Sequence, residues 1–137
     1  HIATALAYEA CRKGFKVKFY TAAGLINELL AAQQEYKLNR LEKQFSAYHL
    51  VVIDELGYVP FSKTGAELLF QFCSSRHERG SVIITTNLEF PKWTEVFLDE
   101  QMTAALLDRL THKAHILNIN GESYRFKQAL AKQQSSD

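Results

Sequence analysis

The spacing of hydrophobic and polar positions changes several times along this 137-residue chain, and each change predicts an element of secondary structure. Residues 50–53 and 82–84 are apolar at every position, so both faces of these segments must be covered. Such runs are typical of inner strands in a parallel sheet that carries helices on both sides. Two further segments, 17–20 and 114–119, also have the composition of strands.

Between these strands, hydrophobic residues recur every three or four positions, which is typical of helices that bury one face. The spacing predicts helices over residues 1–13, around 25–30, around 38–48, from 63 to a glycine at 80, and over 100–112. Thr21 and Ser62 can each cap the helix that follows, and Gly14 can end the first helix. The alternation of strands and helices predicts an α/β fold, with a right-handed, doubly wound and mostly parallel sheet in three layers.

Composition narrows the class of protein. The chain is 47% hydrophobic and 23% charged, as expected for one globular domain that buries a sizeable core. The net charge is only +1, so any nucleic-acid binding must depend on a local basic patch. No apolar run has membrane-spanning length and no secretory signal pattern is present, which predicts a cytoplasmic protein without membrane contact. Cys11 and Cys73 lie in apolar helical contexts and are predicted to be small buried residues in a reducing compartment.

Two adjacent carboxylates, Asp54 and Glu55, directly follow the apolar run at 50–53. Ligands of open α/β sheets bind beyond the carboxyl ends of the strands, so both side chains are expected at such a crevice. Many P-loop ATPases use an aspartate here to support Mg²⁺ and its waters, and a following glutamate to orient or deprotonate the attacking water. The alternative, from the dipeptide alone, is two solvated charges where a strand meets its loop.

Five segments carry a resemblance to a known family, in this order: HIATALAYEACRKG, VVIDELGYVPF, SVIITTNLEFPKW, ALLDRLTHKAHIL and NGESYRFK. Together they resemble the AAA+ ATPases of the DnaC-like branch and, more closely, the IstB-like ATPases that assist insertion-sequence transposition. The resemblance implies a P-loop NTPase core of the AAA+ type over residues 1–128, followed by a polar C-terminal tail at 129–137. It also implies that the first strand and the Gly-rich phosphate loop of the Walker A motif precede His1 and are missing from this chain.

The resemblance assigns roles at the predicted crevice. It makes Asp54 the carboxylate that supports Mg²⁺ beside bound ATP, and Glu55 the catalytic base of a Walker B motif. Asn87 matches sensor 1, whose amide hydrogen-bonds the attacking water or the γ-phosphate. The alternative for Asn87 is an asparagine that satisfies its own loop.

Two arginines match further positions of the family. Arg109 resembles the arginine that a neighbouring subunit inserts toward ATP, because a guanidinium stays charged and bonds phosphate oxygens in pairs. The alternative is a surface ion pair with Glu100 or Asp108, and adjacency in sequence disfavours Asp108. Arg125 matches a sensor 2-like residue that contacts nucleotide, although the chain lacks the large helical lid on which many AAA+ proteins carry it. Its alternative is a charge at a strand edge.

A basic stripe is predicted on the helical stretch around 38–48. Lys37, Arg40 and Lys43 are spaced by three and lie away from the leucines, where they could follow a phosphate backbone. The charge pattern alone fits a solvated helix face, since Glu35 and Glu42 are interspersed. The resemblance favours DNA contact, because initiator and loader ATPases carry a pore-lining helix here.

The expected function follows from the resemblance. It implies an ATP-binding and ATP-hydrolysing helper of DNA transposition that assembles on double-stranded DNA and recruits a transposase. The protein would be a homo-oligomer with ATP between subunits, and this chain alone would be inactive. The alternatives are a DnaC-like loader of a replicative helicase and a truncated, non-catalytic scaffold. A phosphoacceptor receiver that uses Asp54 is a further rival, but it would need acidic residues after an earlier strand, and the strand at 17–20 is followed by Thr21.

Overall fold

The computed structural model describes residues 2–119, and its centre is a parallel sheet of three strands. The strands are β1 (Val17–Thr21), β2 (Leu50–Leu56) and β3 (Ser81–Thr86), in the spatial order β1-β2-β3. Both pairings are parallel, with Val51 opposite Lys18 on one side and Val82 on the other. The strands predicted at these three places are therefore confirmed, and the apolar run at 50–53 forms the middle strand.

Helices connect the strands and cover the sheet. They are α1 (Ile2–Arg12), α2 (Ala22–Gln34), α3 (Leu38–Ser46), α4 (Lys63–Arg76), α5 (Trp93–Phe97) and α6 (Glu100–Thr111), with a 3₁₀ turn at Phe90–Lys92. Thr21 and Ser62 cap α2 and α4 as predicted, because their hydroxyls accept the N–H groups of Gly24 and Gly65 at 3.0 and 3.1 Å. No helix within residues 2–119 is long and apolar enough to cross a bilayer.

The middle strand is buried on both faces. Leu50 and Val52 pack with two alanines of α1, whereas Val51 and Ile53 join the larger core that α2 to α6 build on the opposite face. Val51, Val52 and Ile53 have no exposed surface, which explains why this strand shows no alternation of polar and apolar residues. The predicted α/β fold with helices on both sides of a parallel sheet is confirmed.

The strand predicted at 114–119 is absent from the structure. This segment follows α6 without regular secondary structure, and Ile116, Leu117 and Ile119 are each more than half exposed. A strand is stable only when its backbone groups pair with a neighbour. Within residues 2–119 the segment has no such neighbour, and β3 is an edge strand of the sheet.

Two smaller predictions about helical positions were also wrong. Cys11 is exposed, although Cys73 is buried as predicted. The face of α1 that packs on the sheet continues from Ala7 through Ala10, and position 11 falls beside it. Helix α4 ends at Arg76 rather than at Gly80, since the chain leaves the helical conformation at His77.

Arg76 is a buried charge that the sequence analysis did not find. Its guanidinium donates to the carbonyl oxygens of Phe45, Tyr48 and Ser81 at 2.9, 3.1 and 3.2 Å. Burial lowers the pKa of Arg76, since the charged form loses hydration. These bonds join the last turn of α4 to the end of α3 and the start of β3. The segments that meet at the amino edge of the sheet are thereby held together, opposite the edge where the carboxylates lie.

Candidate functional site

The carboxyl end of β2 contains a bulge at the two predicted carboxylates. Pairing with β3 advances from Ile53 opposite Ile84 to Leu56 opposite Thr86, so β2 has one extra residue over this interval. Glu55 takes up the irregularity with φ +62°, a left-handed conformation that costs a non-glycine residue about 1–3 kcal/mol.

The bulge gives the two carboxylates different surroundings. Asp54 is partly buried, and the structure places its side chain against β3. Glu55 is exposed and lines a small cleft of about 60 Å³ with Thr21, Tyr58 and other residues of the loop after β2. One carboxylate is therefore held in place, whereas the other is accessible to solvent at the cleft.

Thr85 of β3 contacts both members of this pair. Its hydroxyl donates to Oδ1 of Asp54 and accepts the backbone N–H of Glu55, the latter at 3.0 Å. Thr85 is not among the site residues predicted from the sequence. The available signal was a hydroxyl residue near the end of β3, two positions before Asn87, in a strand that had to neighbour β2.

Asn87 lies beside the turn that follows Glu55. Gly57 has φ +94°, and a Cβ placed on it would stand 3.2 Å from Oδ1 of Asn87 and 2.6 Å from Cδ1 of Leu88. The segment after β3 thus passes directly over Gly57. The structure brings Asp54, Glu55 and Asn87 together at one edge of the sheet, as the sequence predicted for their positions.

Arg109 lies elsewhere within the subunit. It is exposed in the last turn of α6 and donates through Nη1 to the hydroxyl of Ser74. Its guanidinium carbon Cζ lies 5.2 Å from the ring centroid of Phe70. Ser74 is three turns along α4 from its cap at Ser62, about 18 Å of helix. Arg109 therefore contacts α4 rather than Asp108 or Glu100. Because α4 begins shortly after the carboxyl end of β2, Ser74 and Arg109 lie toward the end of α4 that is away from the carboxylates.

The basic stripe lies on the exposed side of α3. Lys37 pairs with Glu35 at 3.2 Å, and with Arg40 it lines an open groove of about 280 Å³ between α2 and α3. Lys43 is exposed in the last turn, and the opposite face of α3 is buried through Leu41 and Phe45. Glu28 and Glu35 also line the groove, so its charge is mixed. Arg125 lies outside the described residues.

The oxygen donors of the site suit a magnesium ion that keeps most of its waters. Residues 2–119 contain no group of three or more His, Cys, Asp or Glu side chains that could surround a metal. Asp54 uses one carboxylate oxygen for Thr85, and no described residue bonds the other. Mg²⁺ is usually held by one or two carboxylates together with water and phosphate oxygens, so the second carboxylate oxygen of Asp54 fits it.

Comparisons with known proteins show the family of the chain and its fold. The family described as IstB-like ATP binding protein matches residues 1–132. An ATP-binding protein of insertion sequence IS21 from Pseudomonas aeruginosa is 41% identical over 128 residues, which cover 93% of this chain and 48% of that protein. The chain thus spans about half the length of this curated relative.

Solved structures share the fold at low sequence identity. AMPPCP-bound DnaA from Aquifex aeolicus superposes with a TM-score of 0.72 at 14% identity, over 98% of this chain and 41% of that one. The DnaC helicase loader gives a TM-score of 0.56 at 23% identity, over 80% and 60% of the two chains. These similarities show an AAA+ type of P-loop NTPase fold.

Proposed function

Because this chain belongs to the family of IstB-like ATP-binding proteins, we propose that, in a protein of its relatives' full length, it hydrolyses ATP to assist DNA transposition. The observation that carries the proposal is the meeting of Asp54, Glu55 and Asn87 at the carboxyl edge of a parallel sheet. Ligands of such sheets bind at this edge. The Gly-rich phosphate loop that the resemblance places ahead of residue 1 is part of the proposal.

Each of the three side chains has a task in hydrolysis. Glu55 takes a proton from a water whose oxygen attacks the γ-phosphorus, while the bond from that phosphorus to the bridging oxygen breaks and ADP leaves. Asn87 donates through its side-chain amide to the water or to a γ-phosphate oxygen. Asp54 would hold a bound Mg²⁺ through its waters, and the ion would supply positive charge that offsets the phosphate oxygens.

Arg109 acts on the nucleotide of the neighbouring subunit in this proposal. Its exposure on the α4–α6 surface, remote from Asp54 and Glu55 of its own subunit, supports action in trans. The site is then complete only where two copies of the chain meet in a homo-oligomer. Arg125 is proposed to contact the nucleotide as a sensor 2-like residue.

Double-stranded DNA is the proposed second ligand, and a transposase is the proposed protein partner. Lys37, Arg40 and Lys43 are exposed along α3 and can neutralise successive phosphates without reading bases. The insertion-sequence context of the relative from Pseudomonas aeruginosa supports a transposase over other partners. A DnaC-like loader of a replicative helicase is the second candidate, and the shared fold with the DnaC helicase loader is the observation in its favour.

Glu55→Gln in the full-length protein tests the proposal. The substitution keeps the size and shape of the side chain but replaces the carboxylate base with a neutral amide, so ATP binding should persist while turnover falls by about 10²-fold or more. Binding is measured with a fluorescent ATP analogue and turnover by phosphate release. Unchanged turnover would exclude Glu55 as the base, and absence of nucleotide binding in the unsubstituted protein would favour a non-catalytic scaffold.

A further inference from the structure

Thr85 holds both carboxylate residues of the candidate site through one hydroxyl group. The hydroxyl donates to Oδ1 of Asp54 and accepts the N–H of Glu55 at 3.0 Å. We propose that Thr85 is the positioning residue of the hydrolytic pair: it fixes the orientation of Asp54 and keeps Glu55 in the bulged conformation. This inference rests on the proposed function.

The bulge explains why a side chain is needed at this place. The extra residue of a bulge leaves the regular ladder of backbone hydrogen bonds, so its N–H needs another acceptor. The hydroxyl of Thr85 supplies that acceptor for Glu55. Glu55 also has φ +62°, a conformation that persists only when surrounding contacts enforce it. Loss of the hydroxyl would therefore release both the amide and the backbone of Glu55.

The same hydroxyl orients Asp54. A hydroxyl has one proton to donate, and here the proton goes to Oδ1, so the second carboxylate oxygen remains available to the waters of a metal ion. Hydrogen-bond partners behind a metal-supporting carboxylate fix its direction, and their loss typically lowers metal affinity or activity by about 10–100-fold. Thr85 thus links metal support and base placement through a single group.

Thr86 provides a matched control on the same strand. Its hydroxyl also makes one donated and one accepted bond, but both go to the backbone: it donates to the carbonyl of Leu56 at 2.7 Å and accepts the N–H of Leu88 at 3.1 Å. Thr86→Val therefore removes the same chemical group from the neighbouring position without touching Asp54 or the amide of Glu55.

The test compares Thr85→Val, Thr85→Ser and Thr86→Val in the full-length protein. We expect Thr85→Val to lower kcat for ATP by about 10–100-fold, with KM nearly unchanged, and to raise the Mg²⁺ concentration that half-saturates binding of a fluorescent ATP analogue. Thr85→Ser keeps the hydroxyl and should recover most of both properties. Thr86→Val should leave the Mg²⁺ dependence unchanged. Equal effects of the two valine substitutions, or no rescue by serine, would overturn the proposal.

Hydrogen exchange of the Glu55 amide gives a second readout that does not depend on activity. The amide should be protected in the unsubstituted protein and in Thr85→Ser, and should exchange faster in Thr85→Val. An unprotected Glu55 amide in the unsubstituted protein would overturn the proposal even if the valine variant fails to fold. If Glu55→Gln leaves turnover intact, the proposed function fails instead. If that variant is inactive while Thr85→Val is unaffected, only the role of Thr85 fails.

Discussion

Gly57 lies so close to Asn87 across the end of the sheet that a Cβ on Gly57 would stand 3.2 Å from the amide oxygen of Asn87. This close approach brings the turn after the bulge of β2 to the segment after β3. It favours a residue without a side chain, and the φ of +94° at this position independently favours glycine.

Gly57→Ala should therefore destabilise the protein and displace Asn87. The added methyl group would press on Leu88, at 2.6 Å from Cδ1, in a conformation that already disfavours alanine. We expect the free energy of unfolding, measured by urea denaturation, to fall by about 2–4 kcal/mol. Gly14→Ala is the control, since Gly14 has φ +89° and nothing within 4 Å of its Cβ position. Gly14→Ala should lower the free energy of unfolding by only about 1 kcal/mol, the cost of placing alanine in a left-handed conformation. Equal losses of stability at both glycines would argue against the close approach of Gly57 to Leu88 and Asn87.

Arg109 of one subunit and Glu55 of its neighbour should act on the same ATP molecule. In the full-length protein Arg109→Ala should lower turnover about 10³-fold under conditions of assembly, because the charge supplied to the neighbouring nucleotide is lost. Arg109→Lys should not restore it, since an ammonium lacks the planar fork. Ser74→Ala removes the partner of Arg109 within its own chain and should retain most of the activity.

Mixing two inactive variants tests the arrangement directly. Subunits with Glu55→Gln still carry Arg109, and subunits with Arg109→Ala still carry Glu55, so some interfaces of a mixed oligomer are intact. Phosphate release should reappear on mixing. An equal loss of activity by Arg109→Ala in assembled and in dilute, monomeric protein would contradict action in trans.

The basic stripe should govern the salt dependence of DNA binding. Changing Lys37, Arg40 and Lys43 together to Gln should reduce the slope of log affinity against log salt by about 2–3, since each phosphate contact contributes about 0.9. Glu35→Gln should strengthen binding, because it releases Lys37 from its ion pair at 3.2 Å. Lys92→Gln, an exposed lysine away from α3, is the control. Fluorescence anisotropy with duplex DNA at several salt concentrations measures each slope. Similar slopes for the unsubstituted protein, the triple variant, Glu35→Gln and Lys92→Gln would show that α3 does not contact DNA.

The two cysteines should differ sharply in reactivity. Burial raises the pKa of the Cys73 thiol to about 12, so almost no thiolate forms there at neutral pH, whereas Cys11 is exposed. Iodoacetamide at pH 7.5 should modify Cys11 alone in the folded protein and both thiols in denaturant. At pH 9 the folded protein should still leave Cys73 unmodified, since this pH lies well below the pKa of that thiol. Mass spectrometry counts the modified sites, and rapid labelling of Cys73 in the folded protein would contradict its burial.

The sequence predicted the elements whose signals are local. The apolar run at 50–53 required an inner strand, and the hydroxyls of Thr21 and Ser62 marked the starts of two helices. The positions of Asp54 and Asn87 followed from the rule that parallel strands end at a common edge. These inferences need only periodicity and chain direction.

The contacts that the sequence did not predict depend on strand register. The bulge shifts the pairing by one residue, and only that shift brings the hydroxyl of Thr85 to both Asp54 and the amide of Glu55. The strand predicted at 114–119 was wrong for a related reason. The composition of the segment is typical of a strand, but composition does not show whether a neighbouring strand is available for pairing. Arg76 carried a usable signal that no prediction from the sequence used, because it continues the buried stripe of α4 through Phe72.

The buried guanidinium of Arg76 has a consequence for how this sequence can vary. It satisfies three carbonyl oxygens from separate parts of the chain, and Gly80 lies so close to it that a Cβ there would overlap Nη2. Lysine at position 76 would offer a compact ammonium in place of the planar guanidinium, and any side chain at position 80 would displace the guanidinium itself. Positions 76 and 80 are therefore expected to change together among related sequences, as a pair whose members constrain each other although neither approaches the carboxylates.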